Sequence, residues 1–106
     1  KMLESENISF FIARVDNNEI KGILTLVSYD IISGRKIWIE DVVVDEAYRG
    51  HGTGEMLVLA ALEFSRSSGA KEIRLTSRSS RSAANMLYQK IGFEKYDTNV
   101  YKYSLA

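Results

Sequence analysis

The chain has 106 residues and is 45% hydrophobic, enough for one domain with its own core and no covalent staple. Lys and Arg together number 14, as do Asp and Glu, and this neutrality argues against general nucleic-acid or anionic-membrane binding. There is no cysteine, which excludes a disulfide framework and a cysteine nucleophile and fits the cytoplasm; no apolar run approaches the ~20 residues that span a membrane.

Residues 8–15 (ISFFIARV) are rich in β-branched and aromatic side chains and read as a strand. Asp16, Asn17 and Asn18 are turn chemistry, because Asn and Asp tolerate left-handed backbone. Residues 19–29 (EIKGILTLVSY) return as the second strand of a hairpin, where Gly22 marks either a bulge or a weak spot. Ser33 and Gly34 turn the chain again, and residues 36–44 (KIWIEDVVV) form a third strand, so the start of the chain is an antiparallel meander. Glu40 and Asp41 are consecutive on that strand, and alternation puts them on opposite faces.

Helical spacing then takes over across residues 53–67. Met56, Leu57, Ala60, Ala61 and Phe64 make an apolar stripe, widened by Leu59 and Leu62, while Glu55, Glu63 and Arg66 should face water. Gly69 is placed as the C-terminal cap. Residues 70–77 (AKEIRLTS) restart a strand, and strand–helix–strand in this order makes a right-handed parallel crossover. A second helix covers residues 79–91, with Ala84, Leu87, Tyr88 and Ile91 on one face and Gly92 at its end. Phe93 begins a further strand, and residues 99–105 (NVYKYSL) alternate so that Tyr101, Tyr103 and Leu105 share a face; these last two strands should pair antiparallel. The result is an α+β fold with a mixed sheet and at least two helices, in one domain over residues 1–106.

Between the third strand and the first helix stands Arg49-Gly50-His51-Gly52-Thr53-Gly54. The first N–H groups of a helix have no partner within it and carry the positive end of its dipole. Glycines on alternate positions let that backbone approach a ligand, and Arg49 adds a forked cation, so the segment suits a phosphate or pyrophosphate. The dinucleotide fingerprint requires another glycine spacing, and the nucleotide-triphosphate loop requires Lys where Glu55 stands. The bland alternative is a glycine-rich turn that binds nothing.

The order Arg-Gly-x-Gly-x-Gly, after a strand and opening a helix, resembles the coenzyme A pyrophosphate loop of the GNAT superfamily of N-acetyltransferases. A second motif, SAANMLYQKIGFEKY, resembles the same family at Ala83, Ala84, Asn85, Leu87, Tyr88, Gly92 and Phe93. The resemblance runs from about residue 19 to residue 105. It implies a mostly antiparallel twisted sheet whose two central parallel strands splay apart to admit the pantetheine arm of acetyl-coenzyme A, and transfer of the acetyl group to an amine. It sets Arg49, Gly50, His51, Gly52, Thr53, Gly54 and Asn85 against the cofactor. It also sets the main chain of Val42 and Val44 against the pantetheine, since an amide-bearing arm can pair with a splayed strand as an added strand does. No metal is expected.

Tyr88 matches the family tyrosine that protonates the departing thiolate, and with Arg81 and Asn85 it lies at i, i+4 and i+7 on one ridge. Its competing reading is a core aromatic. Glu40 resembles the carboxylate that some members use, often through water, to take the amine proton; other members carry a base on the strand equivalent to residues 74–77, which here reads Arg-Leu-Thr-Ser and offers none. Glu40, Asp41 or no dedicated base therefore stay open. His51, inside the loop, suits solvent or phosphate contact, and Trp38 suits packing or the acceptor cleft. A strand and two helices usually precede the hairpin seen here and wall the acceptor site, and residues 1–7 are too few to supply them. Truncation or a second chain would account for that, and exposed sheet edges would favour a homodimer. The leading expectation is an N-acetyltransferase acting by direct attack in a ternary complex on a small-molecule or protein amine; the rival is a catalytically idle acyl-coenzyme A-binding or interaction module of the same fold.

Overall fold

The structure, a computed structural model, describes residues 6–15 and 19–106. The turn expected at Asp16, Asn17 and Asn18 lies outside the described residues. Three long strands come first: β1 (Glu6–Val15), β2 (Glu19–Ile31) and β3 (Gly34–Val44). A 3-10 turn (Glu46–Tyr48) leads to helix α1 (Thr53–Ser65), then to a two-residue strand β4 (Ile73–Arg74) and helix α2 (Ser82–Ile91). The sheet order is β1-β2-β3-β4, with antiparallel pairing up to β3 and parallel pairing between β3 and β4. The meander and the parallel crossover read from the sequence are both present.

Period-two alternation builds the core. Leu24 and Leu26 of β2, Ile37 and Ile39 of β3, and Ala13 of β1 turn one face of the sheet inward against Leu57, Val58 and Ala61 of α1. Each fully buried Leu, Ile or Val contributes on the order of 1.5–3 kcal/mol relative to exposure. The β2–β3 hairpin is pinned at its far end, where Arg35 donates from Nε and Nη2 to the two carboxylate oxygens of Asp30 at 2.8 and 3.0 Å. That fork holds the already cationic Arg35 guanidinium above its usual pKa, first through the hydrogen bond and then through charge.

The register is broken twice. Ala13 faces Gly22 but Arg14 faces Ile20, so Lys21 is an extra residue in β2. Leu26 faces Ile39 but Thr25 faces Asp41, so Glu40 is an extra residue in β3. The second bulge corrects the expected alternation. Inward-facing residues switch from Ile37 and Ile39 to Val42 and Val44, and Glu40 and Asp41 are both exposed. A bulge lets two residues oppose one and re-aims the chain beyond it, so simple alternation does not separate the two carboxylates.

Four other expectations are corrected. The buried face of α1 is Thr53, Leu57, Val58, Ala61 and Ser65, whereas Met56, Leu59 and Phe64 are about half exposed. The helix closes at Arg66, and Gly69, at φ 92°, belongs to the turn that follows. β4 is shorter than residues 70–77, and residues 93–106 carry no strand, so the expected antiparallel pair at the C-terminus is not formed among the described residues. Among the described residues no helix is long and apolar enough to cross a membrane.

Candidate functional site

The site is built where β3 ends. β3 pairs with β4 only at Ile37 and Trp38, so beyond Trp38 the parallel strands part. Which backbone groups face that opening follows from the ladder. The Asp45 N–H donates to the Lys21 carbonyl at 2.8 Å, toward β2. In an antiparallel ladder alternate residues point the same way, so Val43 also faces β2, and the N–H and C=O of Val42 and Val44 point to the side from which β4 has departed. The Val44 carbonyl accepts a 3.3 Å hydrogen bond from Arg49 Nε. The side chain of Val42 meanwhile packs on the core, so core packing and an available backbone coexist in this residue.

The loop after β3 is tied down at its start and bare at its end. Asp45 caps the 3-10 turn by accepting from the Ala47 N–H at 2.9 Å. Tyr48 donates to Glu19 at 2.9 Å, anchoring the turn to the start of β2. Gly50 and Gly52 follow with φ of 83° and 81°, in the left-handed range where glycine carries no Cβ penalty. Gly52 is the N-cap of α1 and supplies no side-chain bond. The Met56 N–H is the first to reach back, to the Gly52 carbonyl; the earlier amides of that turn are left without helical partners, as at any helix start without a side-chain cap. Space beside Gly50 and Gly52 is open to 4 Å. His51 is exposed, as is Arg49.

Thr53 departs from a simple loop contact. Its side chain is buried against β2, and its hydroxyl has no hydrogen-bond partner among the described residues. Only its main-chain N–H remains available to a ligand.

Gly54 is where three elements meet. A Cβ built there would lie 3.9 Å from both Val44 Cγ2 and Leu87 Cδ2, so the end of β3, the first turn of α1 and the face of α2 converge at this point. An ion pair from Lys90 to Glu55, 3.3 Å, joins the same two helices.

On α2, Asn85 donates from Nδ2 to the carbonyls of Arg78 and Arg81, both at 2.9 Å. Its amino group thus closes the turn before the helix, leaving its carbonyl oxygen as the group open to a ligand. Arg81 is the N-cap, so the helix begins three residues later than residue 79. Tyr88 packs on the core with its ring edge-to-face on Phe93, centroids 5.8 Å apart. Gly92, at φ 126°, ends the helix, and the N–H groups of Gly92 and Phe93 both donate to the Tyr88 carbonyl, at 3.2 and 2.9 Å. The Gly-Phe pair therefore holds Tyr88 from backbone and ring alike. Among the described residues the phenol oxygen makes no hydrogen bond.

The structure brings together Val42, Val44, Arg49, the glycine loop and α2. Glu40 stands at the bulge, two residues beyond the last β3–β4 pair at Trp38, and Trp38 is half-buried on the sheet face opposite α1. Sequence reasoning passed over Tyr48, Glu19 and Lys90; their partners are distant in the chain, and no local spacing signals them. Among the described residues no group of three or more His, Asp or Glu side chains could hold a metal ion.

Residues 2–93 match the acetyltransferase (GNAT) family. The chain is similar to the glucosamine 6-phosphate N-acetyltransferase of Trypanosoma brucei brucei, 44% identical over 59 residues that make up 56% of this chain and 38% of that protein. It is similar to the mycothiol acetyltransferase of Streptosporangium roseum, 41% identical over 59 residues, 56% of this chain and 18% of that protein. A crystal structure of a Trypanosoma brucei acetyltransferase superposes with a TM-score of 0.80 at 29% identity, covering 92% of this chain and 69% of that one. The chain thus spans under two fifths of the length of these two curated relatives.

Proposed function

The chain belongs to the GNAT acetyltransferase family, and from that premise we propose that it transfers an acetyl group from acetyl-coenzyme A to a primary amine by direct attack in a ternary complex. The observation that carries the reading is the juxtaposition of two backbone surfaces that lack main-chain partners. The amides at the start of α1 suit a diphosphate, and the outward groups of Val42 and Val44 suit an amide-bearing arm. Acetyl-coenzyme A would supply the activated thioester. Arg49 would add charge at the diphosphate end, and its hold on the Val44 carbonyl would be exchanged for, or shared with, that ligand. Gly50 and Gly52 keep the loop in a conformation with open space around it. His51 and Gly54 line the same loop, and Asn85 would approach the ligand through its remaining oxygen.

Tyr88 would donate its phenolic proton to the departing thiolate. A phenol is in general a weaker acid than a thiol, so a proton transfer of this kind is uphill by roughly 2 kcal/mol. Such a cost is compatible with a step that contributes ~10²–10⁴-fold to the rate. The exposed carboxylate of Glu40 would receive the amine proton through water. With no cysteine in the chain, an acetyl-cysteine intermediate is not available. A homodimer would complete the open sheet edges.

Thioester consumption against a panel of amines, followed by free thiol release, tests this. Amine-dependent release is expected. Coenzyme A binding with no turnover on any amine would instead favour the idle acyl-coenzyme A-binding module.

A further inference from the structure

Gly22 is buried near the start of β2, facing Val44 across one ladder and Ala13 across the other. Its φ is not positive, so backbone conformation does not call for glycine there. Space does. A Cβ at this position would lie 3.0 Å from Thr53 Cγ2, 3.1 Å from Leu57 Cδ1 and 3.3 Å from the Val43 carbonyl oxygen. Thr53 is 2% exposed and Leu57 4%, so neither side chain can swing out into solvent to make room. Thr53 is also β-branched on a helix, which leaves it few rotamers. The Val43 oxygen is fixed in the β2–β3 ladder.

Of these neighbours, the first turn of α1 is the least constrained. Gly52 caps it without a side-chain bond, and what seats it on the sheet is the packing of Thr53 and Leu57. A methyl group at residue 22 would therefore lift that turn by a few tenths of an ångström, and the amides that turn presents would move with it.

We infer that Gly22 is a positioning residue for the diphosphate cradle. By having no side chain, it lets Thr53 and Leu57 seat against β2, and this fixes the unpaired amides at the start of α1 relative to the open backbone at Val44. The inference rests on the coenzyme A reading above and deepens it. It accounts for a glycine that is needed neither by the turn nor by the bulge at Lys21. It also explains why Thr53, at the mouth of the loop, turns its side chain inward.

The test uses protein-observed NMR titrations of the full chain, which read both coenzyme A and weakly bound pantetheine, the latter lacking the diphosphate. Gly22→Ala should weaken coenzyme A roughly tenfold, the scale on which sub-ångström misplacement of a binding group acts. Pantetheine binding should stay within about twofold, because the edge at Val42 and Val44 is left in place. Adding Thr53→Ser, which removes the Cγ2 atom, should recover most of the coenzyme A affinity. If Gly22→Ala does not fold, Thr53→Ile, which lengthens the buried hydroxyl branch of Thr53, crowds the seat of the same turn from the helix side and should give the same diphosphate-selective loss. Equal loss of both ligands, or loss of neither, overturns the positioning role while leaving the coenzyme A reading intact. Failure of the unsubstituted chain to bind coenzyme A overturns that reading and this inference with it.

Discussion

Among the described residues, those up to residue 65 and those from 66 to 106 behave as two different kinds of structure. In the first region, three strands and one helix share a sealed interior in which Leu24, Val58 and Ala61 are inaccessible to solvent. In the second, β4 has two residues, α2 has no fully buried side chain, and Tyr101, Tyr103 and Leu105 are more than 85% exposed. Both regions carry the periodic apolar patterns that build elements. The difference is partnership. β1, β2 and β3 are separated by only a few residues of chain, so each strand meets its neighbour at small entropic cost. β4 must reach β3 across a whole helix, and it does so only at Ile37 and Trp38. The candidate site lies on this seam, where a buried layer ends and a sparsely paired one begins.

Substitutions on either side of this seam should act very differently. Leu24→Ala should lower the unfolding free energy by about 2–5 kcal/mol in urea titrations, whereas Leu105→Ala should shift it by less than about 0.5 kcal/mol. Comparable effects at the two positions would remove the distinction between the regions. Tyr88→Phe lies on the seam itself. Turnover on an accepted amine should fall by about 10²-fold or more, with coenzyme A affinity and thermal midpoint close to those of the parent; full turnover would return Tyr88 to a purely packing role. Asn85→Ala should cost about 1–2 kcal/mol of stability, because it removes two hydrogen bonds to backbone carbonyls that hold the turn before α2. A thermal melt unchanged by that substitution would mean that the turn holds without it. The smallest effect is expected from Glu55→Gln. The Lys90–Glu55 pair is 69% and 32% exposed, so its loss should cost under about 0.5 kcal/mol and less in high salt.

The same division governs what could be read from the residues. The hairpins, the crossover and the loop between β3 and α1 were legible because β-branched runs, Gly-containing turns and a switch to helical spacing are local signals. The buried face of α1 was not. Apolar residues occupy most of its circumference, so periodicity alone could not choose between Met56 with Phe64 and Val58 with Ser65, and contact with the sheet decided. The bulge at Glu40 was hidden because apolar runs flank it on both sides, Ile37 to Ile39 before and Val42 to Val44 after, so the consecutive Glu40 and Asp41 read as one ordinary pair on opposite faces. The alternation of Tyr101, Tyr103 and Leu105 was real, but alternation describes a face and does not supply a partner strand. At the site, the glycine loop and the Gly-Phe pair were legible as motifs. The burial of the Thr53 side chain and the use of the Asn85 amino group within its own turn were not, because both depend on distances that only the folded chain sets.

On the proposed function, the unpaired amides at the start of α1 and the open edge of β3 beside them hold the diphosphate and the arm of one acyl carrier. A crystal structure of the chain with coenzyme A tests it most directly. The account predicts the diphosphate within hydrogen-bonding distance of main-chain N–H groups in residues 50–55 and the pantetheine amides paired with Val42 and Val44. A diphosphate bound elsewhere, or a carrier that leaves those backbone groups unpaired, would contradict it.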